Sequence, residues 1–417
     1  MRRWPLLLAS LILLLRCQAS EAPEAPPADG GALPVDSGRT LEDTAANPRD
    51  VGGDDAARDA ARDAPLEADA GELRCQPASS PPRVRVELMA TGLVSPWSMV
   101  FLPNGDMLVT EREGRIRILR KGGTLEPQPV PGSPPTVYEH HAGYMGLALH
   151  PDFPAKPFVY LAFAHVFPGP VRTVSVRISR LRWESERFVD ELPLLDSAHD
   201  DDTLVNAGGR LAFGRDKKLY ATIGERSLGG VAQDLSTLYG KIVRLEDDGR
   251  IPADNPFVGR PDARPEIYSY GHRNPQGLAL RPSSRELYSS EHGGAGGDEI
   301  NLIEPGKNYG YPDIVRDASA PGVVSPLLEF TPAIAPSGAT FYASNTLLGW
   351  CGDLFVACLV GEQILRVHFP ASGPPTAESL FKSQYGRIRD VAQSPDGYLY
   401  FAEDAFSGAH IWRIVPE

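Results

Sequence analysis

GGRLAFGRDKKLYATIGE, residues 208–225, is an apolar run, a turn and a second apolar run, and runs of the same kind recur along the chain. The other copies are PWSMVFLPNGDMLVTE from Pro96, GYMGLALHPDFPAKPFVYLAFA from Gly143, NPQGLALRPSSRELYSSE from Asn274, SGATFYASNTLLGWCGDLFVACL from Ser337 and RDVAQSPDGYLYFAED from Arg389. Their starts lie roughly 45–70 residues apart, the spacing of propeller blades with loop insertions. A repeat of this size cannot bury its own apolar face and must stack on its neighbours. The pattern predicts an all-β fold, a six-bladed β-propeller with antiparallel four-stranded blades, whose tunnel collects loops from every blade. RVRVELM, from Arg83, also alternates, and pairing with the strand around Ile411–Val415 would close the ring and remove an edge.

Three segments divide the 417 residues. Residues 1–17 combine a basic start with the apolar run Trp4–Leu15, the pattern of an export signal and too short to span a bilayer. Cys17 ends that run as in a lipoprotein signal, although Arg16 stands where a small residue is usual. The expected product is exported, periplasmic or secreted, either soluble or anchored by lipid through Cys17. Residues 18–82 are rich in Ala, Pro, Asp and Gly and lack aromatic residues, so they read as a disordered acidic linker. Residues 83–417 are left for the propeller. The net charge of −13 and the lack of a basic patch point away from nucleic acid. Cys351 and Cys358 flank one apolar run, and opposite ends of an extended strand are too far apart to bridge. Cys75, in the linker, reads as a free or intermolecular thiol.

The segments between repeats carry the chemistry. EHGGAGGDE, from Glu291, sets glycine carbonyls beside two carboxylates, a hard-oxygen set suited to Ca²⁺ but without EF-hand spacing. Taken alone it is also an ordinary glycine-rich turn. Arg273, Arg387 and Arg389 lie near blade ends and can clamp a multiply charged anion through forked hydrogen bonds, or each can pair with a local carboxylate such as Asp390.

In order along the chain, PWSMVFLPNGDMLVTER, GLALHPDF, GGRLAFGRDKKLYATIGE, AQDL…GKIVR, DNPF, GHRNPQG, GGDEINLI…GKNYGYP, APSG and RIRDV resemble the soluble quinoprotein glucose/sorbosone dehydrogenases. The likeness is to the periplasmic aldose sugar dehydrogenase branch and covers nearly all of residues 83–417. It implies a six-bladed propeller carrying pyrroloquinoline quinone (PQQ) with calcium on top of the tunnel. It also implies oxidation of a sugar's anomeric hydroxyl, with a histidine taking the proton and hydride passing to the quinone. The electron acceptor is left unnamed. By motif, Arg273 and Asn274 resemble the quinone-facing pair. Gly293 and Gly294 resemble the calcium-binding carbonyls, supported by Asp298 and Glu299. Arg387 and Arg389 resemble the clamp on the PQQ carboxylates.

Four positions depart from the pattern. The base histidine's place, four residues before the arginine of GGRL, is Asn206, which cannot act as a general base near neutral pH. A glutamine position is His141, a lysine position is Val360, and a covering tryptophan's place is Thr331. His141 is the first candidate to replace the base, and His199 in HDDDTLVN is the second. His150, His272 and His292 read as hydrogen-bonded scaffold. Two functions stay open: a PQQ- and calcium-dependent sugar dehydrogenase with an altered base, or a catalytically lapsed propeller that binds a ligand or protein.

Overall fold

The computed structural model describes Cys75, Gln76, Ala78 and residues 80–417, except 198–203, 285, 295 and 316–317. The expected export signal, Cys17, most of the expected linker and His199 lie outside the described residues. Among the described residues no helix is long and apolar enough to cross a membrane.

Six antiparallel sheets surround one axis. Their inner strands are Pro96–Phe101, Tyr144–Leu149, Gly208–Phe213, Asn274–Leu280, Pro336–Phe341 and Ile388–Gln393. Each inner strand touches the next, and the sixth touches the first. The expected closure is present. Val84–Leu93 pairs antiparallel with Ala409–Pro416, from Val84↔Pro416 to Leu93↔Ala409, so the sixth blade takes its outer strand from the start of the domain.

The burial pattern explains why alternation is weak in many repeats. The second strands Met107–Glu111, Leu219–Ile223 and Leu354–Cys358 are buried at every position. Each is covered on both faces by neighbouring blades, so it reads as a mostly apolar run without alternation. The outer strand Thr376–Leu380, by contrast, is almost wholly exposed. Apolar clusters fill the seams: Tyr160, Leu211 and Val243 belong to one, and Tyr342, Phe355 and Phe401 to another. At the axis the inner strands approach so closely that side chains are excluded. A Cβ at Gly277 would lie 2.4 Å from Ser337 O, and one at Gly338 would lie 1.7 Å from Asp390 Oδ1.

The first blade differs from expectation in having three strands. EPQPVPGSPP follows its third strand, and Glu126 N and Val130 N still bond Ile118 O and Ile116 O at 2.9 and 2.7 Å. The intervening prolines have no N–H to complete a ladder.

A second correction concerns the cysteines. Cys75 is not a free thiol: it forms a disulfide with Cys351, 276 residues away, with Cα atoms 5.3 Å apart. Gln76 N donates to Asn345 Oδ1 at 2.8 Å beside it. The end of the expected linker is thus stapled to the fifth blade. Spacing arguments weigh near pairs of cysteines, and this pair is brought together by the closed ring. Cys358 stays free and buried, its thiol pushed up to about 12 by burial. Replacing Cys75 with Ser should lower stability by about 2–4 kcal/mol, read as a drop in the guanidinium midpoint with an unchanged far-ultraviolet β spectrum.

Candidate functional site

Inner strands start, and second strands end, at the same mouth of the tunnel. Asn274 there faces His292, Ile388 faces Glu403, and Tyr144 faces Phe163. This topology gathers residues that are far apart in sequence: Arg112, His141, Asn206, Glu225, Arg273, His292, Arg387 and Arg389 all lie at or beside those strand ends.

One carboxylate anchors three guanidinium groups. Arg389 is buried and donates from Nε to Asp404 Oδ1 at 3.3 Å. Arg387 donates from Nε and Nη2 to Asp404 Oδ2, both at 3.1 Å, and remains half-exposed. Arg112 Nη2 lies 3.7 Å from Asp404 Oδ1, with its guanidinium over the Tyr138 ring at 5.2 Å. Burial raises the Asp404 pKa, but Arg389, Arg112 and Arg387 together outweigh it and hold the carboxyl below its usual range. Burial, opposed by Asp404 and aided by Arg112 and Arg387, lowers Arg389 to about 10. Three cations around one anion leave an excess of positive charge at the mouth, where a ligand with several carboxylates is favoured. Asp390 is not the local partner of these arginines. Its Oδ1 takes Arg210 Nη1 at 3.0 Å and its Oδ2 takes Met99 N at 2.7 Å. Arg112 was missed as a site residue, although it ends the quoted motif PWSMVFLPNGDMLVTER.

Across the mouth, Arg273 Nη1 donates to Gly293 O, and to His292 O at 3.3 Å. Asp298 shapes that turn, accepting Gly293 N at 2.9 Å and Ile334 N and Ala335 N at 2.7 and 2.6 Å. Glu291 accepts Arg273 N and pairs with His272 Nδ1 at 2.9 Å. Gly293, Gly294, Glu291, Glu299 and Tyr309 line a cavity of about 20 Å³, room for one ion or water. Burial, then the charge of Glu291, pushes the Glu299 carboxyl up to about 8. Among the described residues no three His, Cys, Asp or Glu side chains converge as a ready metal centre.

Asn206 sits between blades in the left-handed region, with φ 47° and 4% exposure. Its Nδ2 donates to Glu225 Oε1 at 2.7 Å and to Ser227 Oγ at 3.2 Å. Its backbone N–H donates to His141 Nδ1 at 3.1 Å. His141 therefore carries its proton on Nε2 and presents a donor. Burial, followed by Arg389 and Arg112, lowers its pKa. His150 and His272 are scaffold as expected: His150 lies between Asp152 N and Asp247, His272 between Ser269 and Glu291. His292 meets the expectation through one nitrogen only, its Nδ1 lying 3.5 Å from Asn274 Nδ2. Its buried Nε2 makes no hydrogen bond among the described residues, and burial with Arg389 and Arg273 lowers its pKa to about 3, so it is a neutral imidazole. Val360 is exposed, and Thr331 Oγ1 accepts Gly297 N at 3.0 Å, bracing the glycine turn.

The Glucose / Sorbosone dehydrogenase family profile matches residues 93–413. The chain belongs to this family. It is 34% identical over 352 residues to the aldose sugar dehydrogenase YliI of Escherichia coli strain K12, covering 81% of this chain and 94% of that protein. It is 29% identical over 418 residues to quinoprotein glucose dehydrogenase B of Acinetobacter calcoaceticus, covering 76% and 84%. Among solved structures, the PQQ-bound aldose sugar dehydrogenase of Streptomyces coelicolor superposes with a TM-score of 0.66 at 31% identity, covering 80% and 100%.

Within this family setting the donor set fits a cation only in part. Glu299, Gly293 and Gly294 line one small cavity, whereas both Asp298 oxygens are committed to backbone N–H groups and support the turn. The pH dependence follows from Glu299. Its folded pKa lies above the unfolded value of 4.5, so its contribution to stability is full below that value and lost as pH rises through about 8. In a chelating buffer, raising the pH from about 6 to about 9 should cost wild type about 2 kcal/mol more than Glu299→Gln, measured from urea midpoints.

Proposed function

We propose that the chain is a PQQ- and calcium-dependent sugar dehydrogenase that oxidises the anomeric hydroxyl of an aldose. The observation that carries this reading is the surplus of cations around Asp404, facing Arg273 across the mouth. PQQ has several carboxylates, and burying them needs compensating guanidinium groups. When bound, PQQ supplies a two-electron quinone that accepts hydride, and calcium polarises its carbonyl edge.

The chain's own groups take the remaining roles. Arg387, Arg389 and Arg112 hold carboxylates. Arg273 and Asn274 would face the quinone, and the Arg273 guanidinium would stabilise negative charge developing on it. Gly293, Gly294 and Glu299 would hold calcium, with Asp298 keeping their turn in shape. His141 offers an N–H to a sugar oxygen. The neutral His292 keeps further positive charge away from the arginines. The Cys75–Cys351 disulfide accords with export to an oxidising compartment, as the basic and apolar start of the chain implies.

The test is titration of PQQ into the apo protein with calcium present, followed by dye-linked oxidation of an aldose panel. Wild type should bind PQQ and oxidise at least one aldose. Arg387→Ala, at a half-exposed position that the fold tolerates, should weaken PQQ binding about tenfold, about 1.4 kcal/mol. Absence of PQQ binding would leave the ligand-binding propeller as the reading.

A further inference from the structure

A dehydrogenase of this kind must take a proton from the hydroxyl as hydride leaves its carbon. Asn206 cannot take it, and most ionisable groups at the mouth are committed elsewhere. His141 Nδ1 already accepts the Asn206 backbone N–H, which leaves a donor on its other nitrogen. Glu291 holds His272 and Arg273 N, and Asp404 is shared by three arginines. The carboxyl of Glu225 is different. It is buried, and among the described residues it has no ion pair; its partners are the Asn206 amide at 2.7 Å and Gly229 N at 3.3 Å. Each of its oxygens uses one lone pair and keeps another.

The backbone places this carboxyl deliberately. Glu225 N donates to Arg273 O at 2.8 Å, which ties it to the loop bearing the quinone-facing pair. A Cβ at Gly224 would lie 1.9 Å from Asn206 O, so the end of this strand is pressed against Asn206. Asn206, Arg226 and Ser227 have φ values of 47°, 61° and 60°. Non-glycine residues in this region are costly and cluster at functional turns.

We propose that Glu225 is the proton acceptor of the site, with Asn206 as its positioning residue. The inference rests on the dehydrogenase reading above. As the sugar C–H bond breaks, its electron pair and hydrogen pass as hydride to the quinone. The O–H bond breaks, its proton passes to a Glu225 carboxylate oxygen, and its electrons form the C=O bond of the lactone product. Asn206 Nδ2 holds one carboxyl oxygen, which fixes the direction of the other lone pairs. The charged and titratable groups around Glu225 are Arg226 beside it in the chain, Arg273 from the loop before the fourth blade, and His141 reached through Asn206.

The test uses PQQ- and calcium-loaded full-length protein. Glu225→Gln should lower kcat for the best aldose roughly 10²–10⁴-fold and abolish the acid limb of kcat/KM, with PQQ affinity within about threefold of wild type. Glu225→Asp should recover part of the rate. Asn206→Ala should lower kcat and move the acid limb without removing it, which loss of packing alone would not do. A second readout needs no turnover. Infrared difference spectra of sugar-free wild type against Glu225→Gln should show one carboxyl titrating with the midpoint of that limb. Turnover by Glu225→Gln within threefold of wild type, or an unchanged acid limb, would overturn the assignment while leaving the dehydrogenase reading intact. Failure of wild type to bind PQQ would remove that reading, and the assignment with it.

Discussion

Arg210 joins inner strands from four of the six blades. Its guanidinium stacks 4.1 Å from the Trp97 ring, donates to Gln276 O at 2.8 Å and to Ser98 Oγ at 3.3 Å, and pairs with Asp390 at 3.0 Å. Those partners come from the first, fourth and sixth blades, and Arg210 itself from the third. A buried cation is costly unless it is paired and hydrogen-bonded, so this contact forms only when all four inner strands are in register. It sits directly below the mouth. The positions of Gln276 and Arg389, which bond each other at 2.8 Å, follow from it.

Ring closure supplies the other half of the constraint. The outer strand of the sixth blade comes from Val84–Leu93, so the ring is held by a bulged antiparallel ladder instead of by contacts between side chains alone. The Cys75–Cys351 bridge then fastens the preceding residues to the fifth blade. Rigidity of this kind suits a site built from loops, because small errors in six separate blades would otherwise add at the mouth. It also lets glycines such as Gly277 and Gly338 bring the inner strands into close approach, which narrows the tunnel below the site.

At the mouth, electrostatics divide the work. One wall is cationic, through Arg112, Arg387 and Arg389 around Asp404, and the other crowds Glu291 and Glu299 beside glycine carbonyls. Arg273 belongs to the second wall, through its bonds to His292 O and Gly293 O. Burial, aided by those charges, lowers the pKa of both histidines between the arginines, which makes them poor proton acceptors despite their residue type. That is why the carboxyl of Glu225, away from the arginine cluster and held by neutral donors, has the chemistry that the histidines lack.

The six repeats, the closing strand and the family motifs were legible in the sequence, because each depends on local patterning: apolar runs, turns and glycines at fixed offsets. The glycine turn, Arg273, Arg387 and Arg389 were legible for the same reason, as parts of short motifs. Partner identity was not. That Asp404 holds the arginines while Asp390 serves Arg210, that Cys75 reaches Cys351, and that Asn206 clamps Glu225 are contacts between segments far apart in sequence or in different loops. A carboxylate's role depends on what surrounds it in space, and the closed ring alone brings those neighbours together. The sequence by itself determined which strands form and in what order they stack. The tertiary structure decided which charges meet at the mouth, since Coulomb and hydrogen-bond energies depend on distances that no spacing along the chain contains.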